Sequence, residues 1–276
     1  MKFRAKLAEW MNMKNLAFLA TTLSKLTKTC VLKMTKAQFT LLICEENSSP
    51  KQILLWCVID APQFFNEYDV EGVTRDDKIF LELPTEMLSS SLNTLKSGGS
   101  NIITVKIKLT DKMSPCITVE IELSTEYGMT RSCVHDIPVR IIHMDYWKEF
   151  KDPPAVDYDA TVEIINLKKI RNVIERLKRL CPFIKVGVSS ERMLCISAES
   201  QAVSCVTLFK NCTLISHKEG EEEQCFRIDA KRLCMLLTCE QLNSRRTLLH
   251  FYNNVIHFNL NCDHFFIHFH VATTEE

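Results

Sequence analysis

Four segments of helical period, each followed by several short runs of strand period, dominate the chain and limit what it can fold into. Leu16, Leu19, Leu23 and Leu26 step by three and four, as do Leu88, Leu92 and Leu95; so do Ile170, Val173, Ile174 and Leu177, and Leu233, Leu236 and Leu237 share a face. The spacing predicts helices beginning near Asn12, Pro84, Asn166 and Asp229. Between them, "TVKIKLT" and "CITVEIEL" alternate strictly, with Val105, Ile107 and Leu109 on one face and Ile117, Val119, Ile121 and Leu123 on another. "FTLLICEE", "ILLWCVI", "IFLEL", "MLCISAE", "AVSCVTLF" and "VIHFNLN" read as further short strands. The class expected is α+β.

The order also repeats. "LSKLTKTCVLKMTKAQFTLLICE" and "IERLKRLCPFIKVGVSSERMLCISAE" each run from a basic helix end through a Cys, an apolar strand and a polar turn to a second strand. A chain of two similar halves follows. The connector "HMDYWKEFKDPPAVDYD" lies between them, marked by Pro153-Pro154 and mixed charge. The expected division is a domain over 1–142, a connector over 143–158 and a second domain over 159–276. "ENSSPKQ", "KSGGSN", "STEYGMT" and the acidic "HKEGEEE" are expected loops.

With 276 residues, 46% of them hydrophobic, the chain has the size and composition of about two globular domains. The run Ile53 to Ile59 is too short to cross a bilayer, and "MKFRAKLAEW" lacks the apolar core of a signal peptide. A nuclear or cytosolic address without a membrane is expected. The thirteen cysteines include no CxxC pair, and Cys57, Cys195 and Cys205 sit in apolar runs; they are read as reduced core thiols.

Formal charge is zero, with 34 Lys+Arg against 34 Asp+Glu, yet "LKKIRNVIERLKRL" (167–180) holds six cations and one anion. At a helical advance of ~100° per residue, Leu167, Ile170, Val173, Ile174, Leu177 and Leu180 form one stripe, with Lys168, Arg171, Lys178 and Arg179 across from it. Glu175 can pair with Arg171 or Arg179 at i,i+4 spacing. The first helix sets Lys14, Lys25 and Lys28 opposite its leucines, and no acid lies between Asn12 and Lys28. The other two helices add only Lys96 and Lys231. Any surface helix shows lysines to water, but two corresponding helices almost without acids also suit a surface that meets phosphates. Such a surface contacts backbone, not bases, and Phe18 alone on it makes no stacking platform, so duplex DNA is the favoured ligand.

Other chemistry finds little footing. The six glycines form no phosphate loop, and neither GxGxxG nor HExxH occurs, so no cofactor and no catalytic group is expected. His135-Asp136 beside Ser132 and Cys133 cannot assemble a triad as strand neighbours, which point to opposite faces. His264, His268 and His270 share one strand face, opposite Phe265, Ile267 and Phe269. That spacing fits a polar outer face better than a metal site, and no metal is expected.

"MKFRAK", "LTKTC", "FFNEYDVEGV" (64–73), "IFLEL", "SPCITVEIEL" and "VHDIPVRII" (134–142) together resemble the Hus subunit family of the nine-one-one DNA-damage checkpoint clamp, a heterotrimeric relative of the PCNA sliding clamp. Beyond Lys151 the resemblance rests on element order and on pieces such as "IERLKRL" and "LFKN", and the ending "HFFIHFHVATTEE" departs from the family's closing Ile-Pro pair. The resemblance implies the PCNA-like DNA-clamp fold: two similar domains, antiparallel sheets outside, helices lining the DNA side. It implies a non-enzymatic subunit that encircles duplex DNA without sequence preference, with Lys14, Lys25, Lys28, Lys96, Lys168, Arg171, Lys178, Arg179 and Lys231 facing it. Pro138 suits an edge strand. By the resemblance, Asp136 to Ile142 and Ala202 to Phe209 become the subunit seams, through Asp136, Ile137, Val139, Ile141, Val203, Cys205, Thr207 and Phe209. Tyr146, Trp147 and Phe150 would border a connector pocket for repair and signalling partners, although anchoring the connector to its own sheet explains them equally well. Two other, Rad-type, clamp subunits and a loader ATPase complete the implied partners. A homotrimeric replicative clamp is the alternative.

Overall fold

The computed structural model describes residues 1–44, 53–96, 101–125, 129–150, 156–189, 191–201, 203–218, 224–242 and 244–273. Pro153-Pro154, Ala202 and most of the four expected loops lie outside the described residues. Contacts divide the chain into two compact units, Met1–Asp152 and Pro153–Glu276.

Unit one runs β1 (Lys2–Leu7), α1 (Trp10–Leu26), β2 (Thr29–Met34), β3 (Gln38–Cys44), β4 (Ile53–Asp60), a single turn α2 (Ala61–Phe64), β5 (Glu67–Glu71), β6 (Ile79–Pro84) and α3 (Thr85–Ser91). A 3-10 turn (Asn93–Lys96), β7 (Ile102–Asp111), β8 (Pro115–Ser124), β9 (Thr130–Pro138), the short β10 (Arg140–Ile141) and a 3-10 turn over Met144–Glu149 complete it. Unit two runs β11 (Ala160–Ile164), α4 (Leu167–Leu177), β12 (Phe183–Val188), β13 (Leu194–Glu199), β14 (Ser204–Phe209), β15 (Cys212–His217), β16 (Gln224–Asp229), α5 (Ala230–Leu236), a 3-10 turn (Leu237–Gln241), β17 (Ser244–Tyr252), β18 (Val255–Cys262) and β19 (Phe265–Ala272).

The sheets make the duplication explicit. Unit one pairs its strands in the orders β5-β1-β7-β8-β9 and β10-β6-β2-β3-β4; unit two pairs β15-β11-β17-β18-β19 and β16-β12-β13-β14. Strand for strand these are the same two sheets, with β10 and α2 as additions in unit one. All described pairings within them are antiparallel. α1 corresponds to α4, and α3 to α5.

Helix ends follow local chemistry. Asn166 and Asp229 are N-caps whose side chains accept from Lys169 N at 3.0 Å and Arg232 N at 2.8 Å. α1 begins at Trp10, two residues before the expected Asn12, because Met13 N already donates to Glu9 O at 3.1 Å. α1 buries Leu16, Leu19 and Leu23, each worth about 2 kcal/mol of apolar transfer. α4 stops at Leu177, so Leu180, expected on its stripe, is half exposed beyond the helix, and Val173 is only half-buried.

The motif "FFNEYDVEGV" has structural causes. Phe65 meets Phe39, Phe64 and Tyr68 at ring-centroid distances of 5.4, 5.1 and 5.3 Å, while Asn66 Oδ1 accepts from Ala8 N at 2.6 Å. At Gly72 an added Cβ would lie 2.5 Å from the Asp77 and Lys78 backbone, so only glycine fits.

Three expectations change. "DIPVRII" is not one strand: Pro138 ends β9, and Arg140–Ile141 turn to pair with β6 in the other sheet. None of the thirteen cysteines forms a disulfide among the described residues, but Cys195 and Cys205 are half-buried rather than core like Cys57, and Cys133 and Cys225 are exposed. Finally, β1, β5, β11, β15, β16 and β17 are strands that the sequence patterns did not single out.

Candidate nucleic-acid interface

On α1, Lys14 and Phe18 share the solvent side, with Lys14 Nζ 5.7 Å from the ring centroid, and Lys25 follows on the same face. Lys25 and, just past the helix, Lys28 are exposed. The neighbouring 3-10 turn brings Lys96 beside Lys25: burial, and then repulsion from Lys25, lower the Lys96 pKa. Lys96 Nζ donates to Asn93 Oδ1 at 3.0 Å. Ser89 Oγ of α3 lies 3.4 Å from Thr21 Oγ1, so the α3 side of this face is polar, and the exposed Glu86 lies three residues before Ser89.

On α4, Lys168, Lys169, Asn172 and Arg176 are exposed, as is Arg179 just past its end, and Leu167, Ile170, Ile174 and Leu177 are buried opposite. Lys169 and Arg176 were missed in the sequence, because counting Val173 and Leu180 in the apolar stripe turns its centre by about 30°. Two other expected residues have different duties. Arg171 is not available to a ligand: its Nε donates to Glu175 Oε1 at 3.1 Å and its Nη1 to Glu240 Oε1 at 2.6 Å. Burial opposes its charge, but Glu240 and then Glu175 more than offset it and raise the pKa. Lys178, just past the helix, is exposed, with Nζ 3.5 Å from Cys234 Sγ. Lys231 is exposed on α5.

Among the described residues, Lys14, Lys25, Lys28, Lys168, Lys169, Arg176 and Arg179 make no ion pair with an acid. The sheet faces differ. Lys6 pairs with Glu67 at 2.8 Å, Lys106 with Glu122 at 3.0 Å, Lys108 with Glu120 at 3.2 Å and Lys112 with Asp136 at 2.6 Å. Positive charge is therefore neutralised at these strand positions and, apart from Arg171, left unanswered on α1 and α4.

Of the expected seam residues, Ile137 is buried and Asp136 is exposed at the end of the edge strand β9. Asp136 accepts from Lys112 and from Thr118 Oγ1 at 2.6 Å, which lower its pKa. That places Asp136 away from the Cys133–His135 contact of 3.3 Å, so the three do not form a triad. Val139 lies between the sheets, its N donating to Pro115 O at 3.0 Å, and Ile141 sits on β10, so neither belongs to the β9 edge. In unit two, β14 is an edge strand with Cys205, Thr207 and Phe209 half-buried, and Val206 and Leu208, together with Val203 just before it, exposed.

The connector aromatics divide by role. Phe150 is buried against Val31, Leu42 and Phe80, and Trp147 packs on the same cluster, stacked on Phe80 at 4.7 Å with Nε1 donating to Ile142 O at 2.9 Å. Both anchor the connector to the outer face of its own sheet. Tyr146 is exposed and, with Glu82, Arg140, Ile141, His143 and Glu149, lines a cleft of about 440 Å³ to which Phe150 contributes its rim. An Arg140–Glu82 ion pair crosses one side.

His268 and His270 join His250 and His257 on one face of unit two. Across the ladder, Thr161, His250, His257 and His270 are direct register partners. Thr161 Oγ1 and His250 Nδ1 are 2.9 Å apart, Tyr158 OH and His257 Nδ1 2.9 Å, and His257 Nε2 and His268 Nδ1 2.9 Å. Ring nitrogens engaged with each other and with hydroxyls do not converge on a point. Among the described residues no His/Cys/Asp/Glu group has metal-holding geometry.

The profile of the Hus1-like protein family matches residues 1–275. The chain belongs to that family. It is 30% identical over 270 residues to the human "Checkpoint protein HUS1", covering 94% of this chain and 95% of that one. It is 28% identical to the Drosophila melanogaster "Checkpoint protein Hus1-like", over 88% and 87%. Proliferating Cellular Nuclear Antigen from Entamoeba histolytica superposes with a TM-score of 0.71 at 12% identity, over 99% of both chains, so this Hus1-like chain has the sliding-clamp fold.

Proposed function

We propose that this chain is one subunit of a heterotrimeric, ring-shaped checkpoint clamp that encircles DNA at damage sites and recruits signalling and repair factors. The carrying observation is that α1 and α4, equivalent helices of two duplicated units, both expose cations without acidic partners. Lys168 and Lys169 even sit in the first turn of α4, where the helix dipole disfavours cations by about 0.3–1 kcal/mol each. An adjacent phosphate would offset that cost. Contacts of this kind are indifferent to sequence and steep in salt, which suits a ring held by topology.

The checkpoint names of the relatives at 28–30% identity favour a checkpoint subunit over a homotrimeric replicative clamp, since the likeness to the nuclear antigen is 12% in sequence. The edge strands β9 and β14 are the proposed seams with two Rad-type subunits, with the seam shifted from 136–142 to Thr130–Pro138. The cleft beside Tyr146 has the size of a small-ligand or side-chain pocket and is proposed to take partner peptides. Ring opening would fall to a separate loader ATPase, and the working location is the nucleus, with the cytoplasm as a second one.

Co-expression with two candidate ring subunits tests the assembly: a one-to-one-to-one complex is expected, and a homotrimer of this chain alone would overturn it. In the assembled clamp, Lys25→Ala, Lys28→Ala, Lys168→Ala and Arg176→Ala together should lower the slope of log affinity against log salt by about 0.9 per lost phosphate contact. Unchanged DNA affinity at low salt would remove the basic helices from the proposal.

A further inference from the structure

The basic face of α1 is not purely cationic. Because the helix starts at Trp10, that residue joins Lys14 and Phe18 in steps of four, and Lys25 continues the same face. Trp10 is 36% and Met11 48% exposed, and Phe18 is half-buried under Lys14. From Trp10 to Lys28 the chain has no acidic residue. Each four-residue step advances about 6 Å along the axis. Aromatic and cationic side chains thus alternate on a scale comparable to the bases and phosphates of an extended strand.

We infer that Trp10 stacks on an unpaired DNA base while Lys14 and Lys25 hold the flanking phosphates, so that α1 binds single-stranded DNA or a single-strand junction in preference to perfect duplex. In a duplex both faces of each base are covered by its neighbours, and an indole reaches one only where a nucleotide is unstacked. A peptide partner would have to supply its own acids to match this face, whereas a nucleic acid brings both the phosphate and the ring. The inference rests on the reading of α1 as DNA-facing and narrows its ligand.

Of the three tryptophans, Trp56 and Trp147 are half-buried in the connector cluster, so Trp10 is the one positioned to report. Titrating the full chain with an oligothymidylate at low salt should quench tryptophan fluorescence. Trp10→Ala should abolish that quenching and weaken oligothymidylate binding about 10-fold, with blunt-duplex affinity unchanged and Trp10→Phe retaining most of the binding. No quenching in the parent chain, unaltered binding by Trp10→Ala, or equal loss on both DNAs overturns the inference. Lys25→Ala with Lys28→Ala separates the two claims. If that pair weakens both DNAs while Trp10→Ala weakens neither, stacking alone fails; if the pair changes nothing, the DNA-facing reading fails.

Discussion

Arg171 Nη1 donates to Glu240 Oε1 at 2.6 Å and ties α4 to the 3-10 turn after α5. Glu240 is mostly buried and its Oε2 has no hydrogen-bond partner among the described residues. Arg171→Ala therefore leaves a carboxylate desolvated without a counterion. It should cost about 2 kcal/mol in urea unfolding, with Arg171→Lys recovering only part because a point charge cannot bridge two carboxylates. A loss confined to DNA affinity, with stability intact, would contradict this assignment.

Arg176 and Arg171 lie on the same helix but should behave oppositely. Arg176 is exposed and makes no ion pair among the described residues, so Arg176→Ala should leave the unfolding midpoint within about 0.5 kcal/mol while weakening DNA binding of the assembled clamp. Filter binding over a salt series, set beside urea unfolding of the same variants, separates the two effects.

Phe150 is 4% exposed in the cluster that seats the connector. Phe150→Ala should cost about 3–4 kcal/mol and release the connector, raising its rate of proteolytic cleavage. Tyr146→Ala, at an exposed position, should leave stability unchanged and reduce only the capture of peptides by the cleft.

The histidine ladder makes unit two acid-sensitive. Burial, aided by the neighbouring imidazoles, lowers the pKa of His250 and His268 to about 4 and that of His257 to about 2, against 6.5 for an ordinary histidine, and burial lowers His270 as well. Tyr158 and Tyr252 face them with raised pKa values, so they stay neutral throughout. Below pH 6.5 the unfolded chain takes up protons that the folded ladder refuses. Stability is thus complete above about pH 6.5 and falls toward pH 4, by up to about 1.4 kcal/mol per pH unit for each histidine. Urea midpoints between pH 7 and 5 should show the decline, and His250→Asn with His268→Asn should flatten it.

Gly72→Ala should destabilise unit one by more than about 1 kcal/mol, since the new methyl meets backbone rather than a movable side chain. A chain melting at the parent temperature would show that the Asp77 turn yields.

The duplicated helix-and-strand order was legible because period is a local property: Leu16, Leu19 and Leu23, or Val105 and Ile107, mark their buried faces wherever the partner element lies. The exposed cations of α1 and α4 were legible in part for the same reason. Lys14, Lys25 and Lys168 fall opposite buried residues of their own helices. Lys169, Arg176 and Trp10 were not, because helix ends shift by a residue or two and each shift rotates what counts as the outer face. The doubled pattern "DIPVRII" misled in another way: an alternating run cannot announce that its two ends join different sheets.

The sequence by itself determined two similar units of α+β class, the four helices, the neutral whole with cationic helices, and the family. Only tertiary structure decided which cations stay unpaired. Whether Arg171 meets water or Glu240, 69 residues away, and whether Trp147 and Phe150 greet a partner or their own sheet, depends on contacts between elements distant along the chain. Such contacts form through burial and ion pairing in space, which leave no periodic trace in the order of residues.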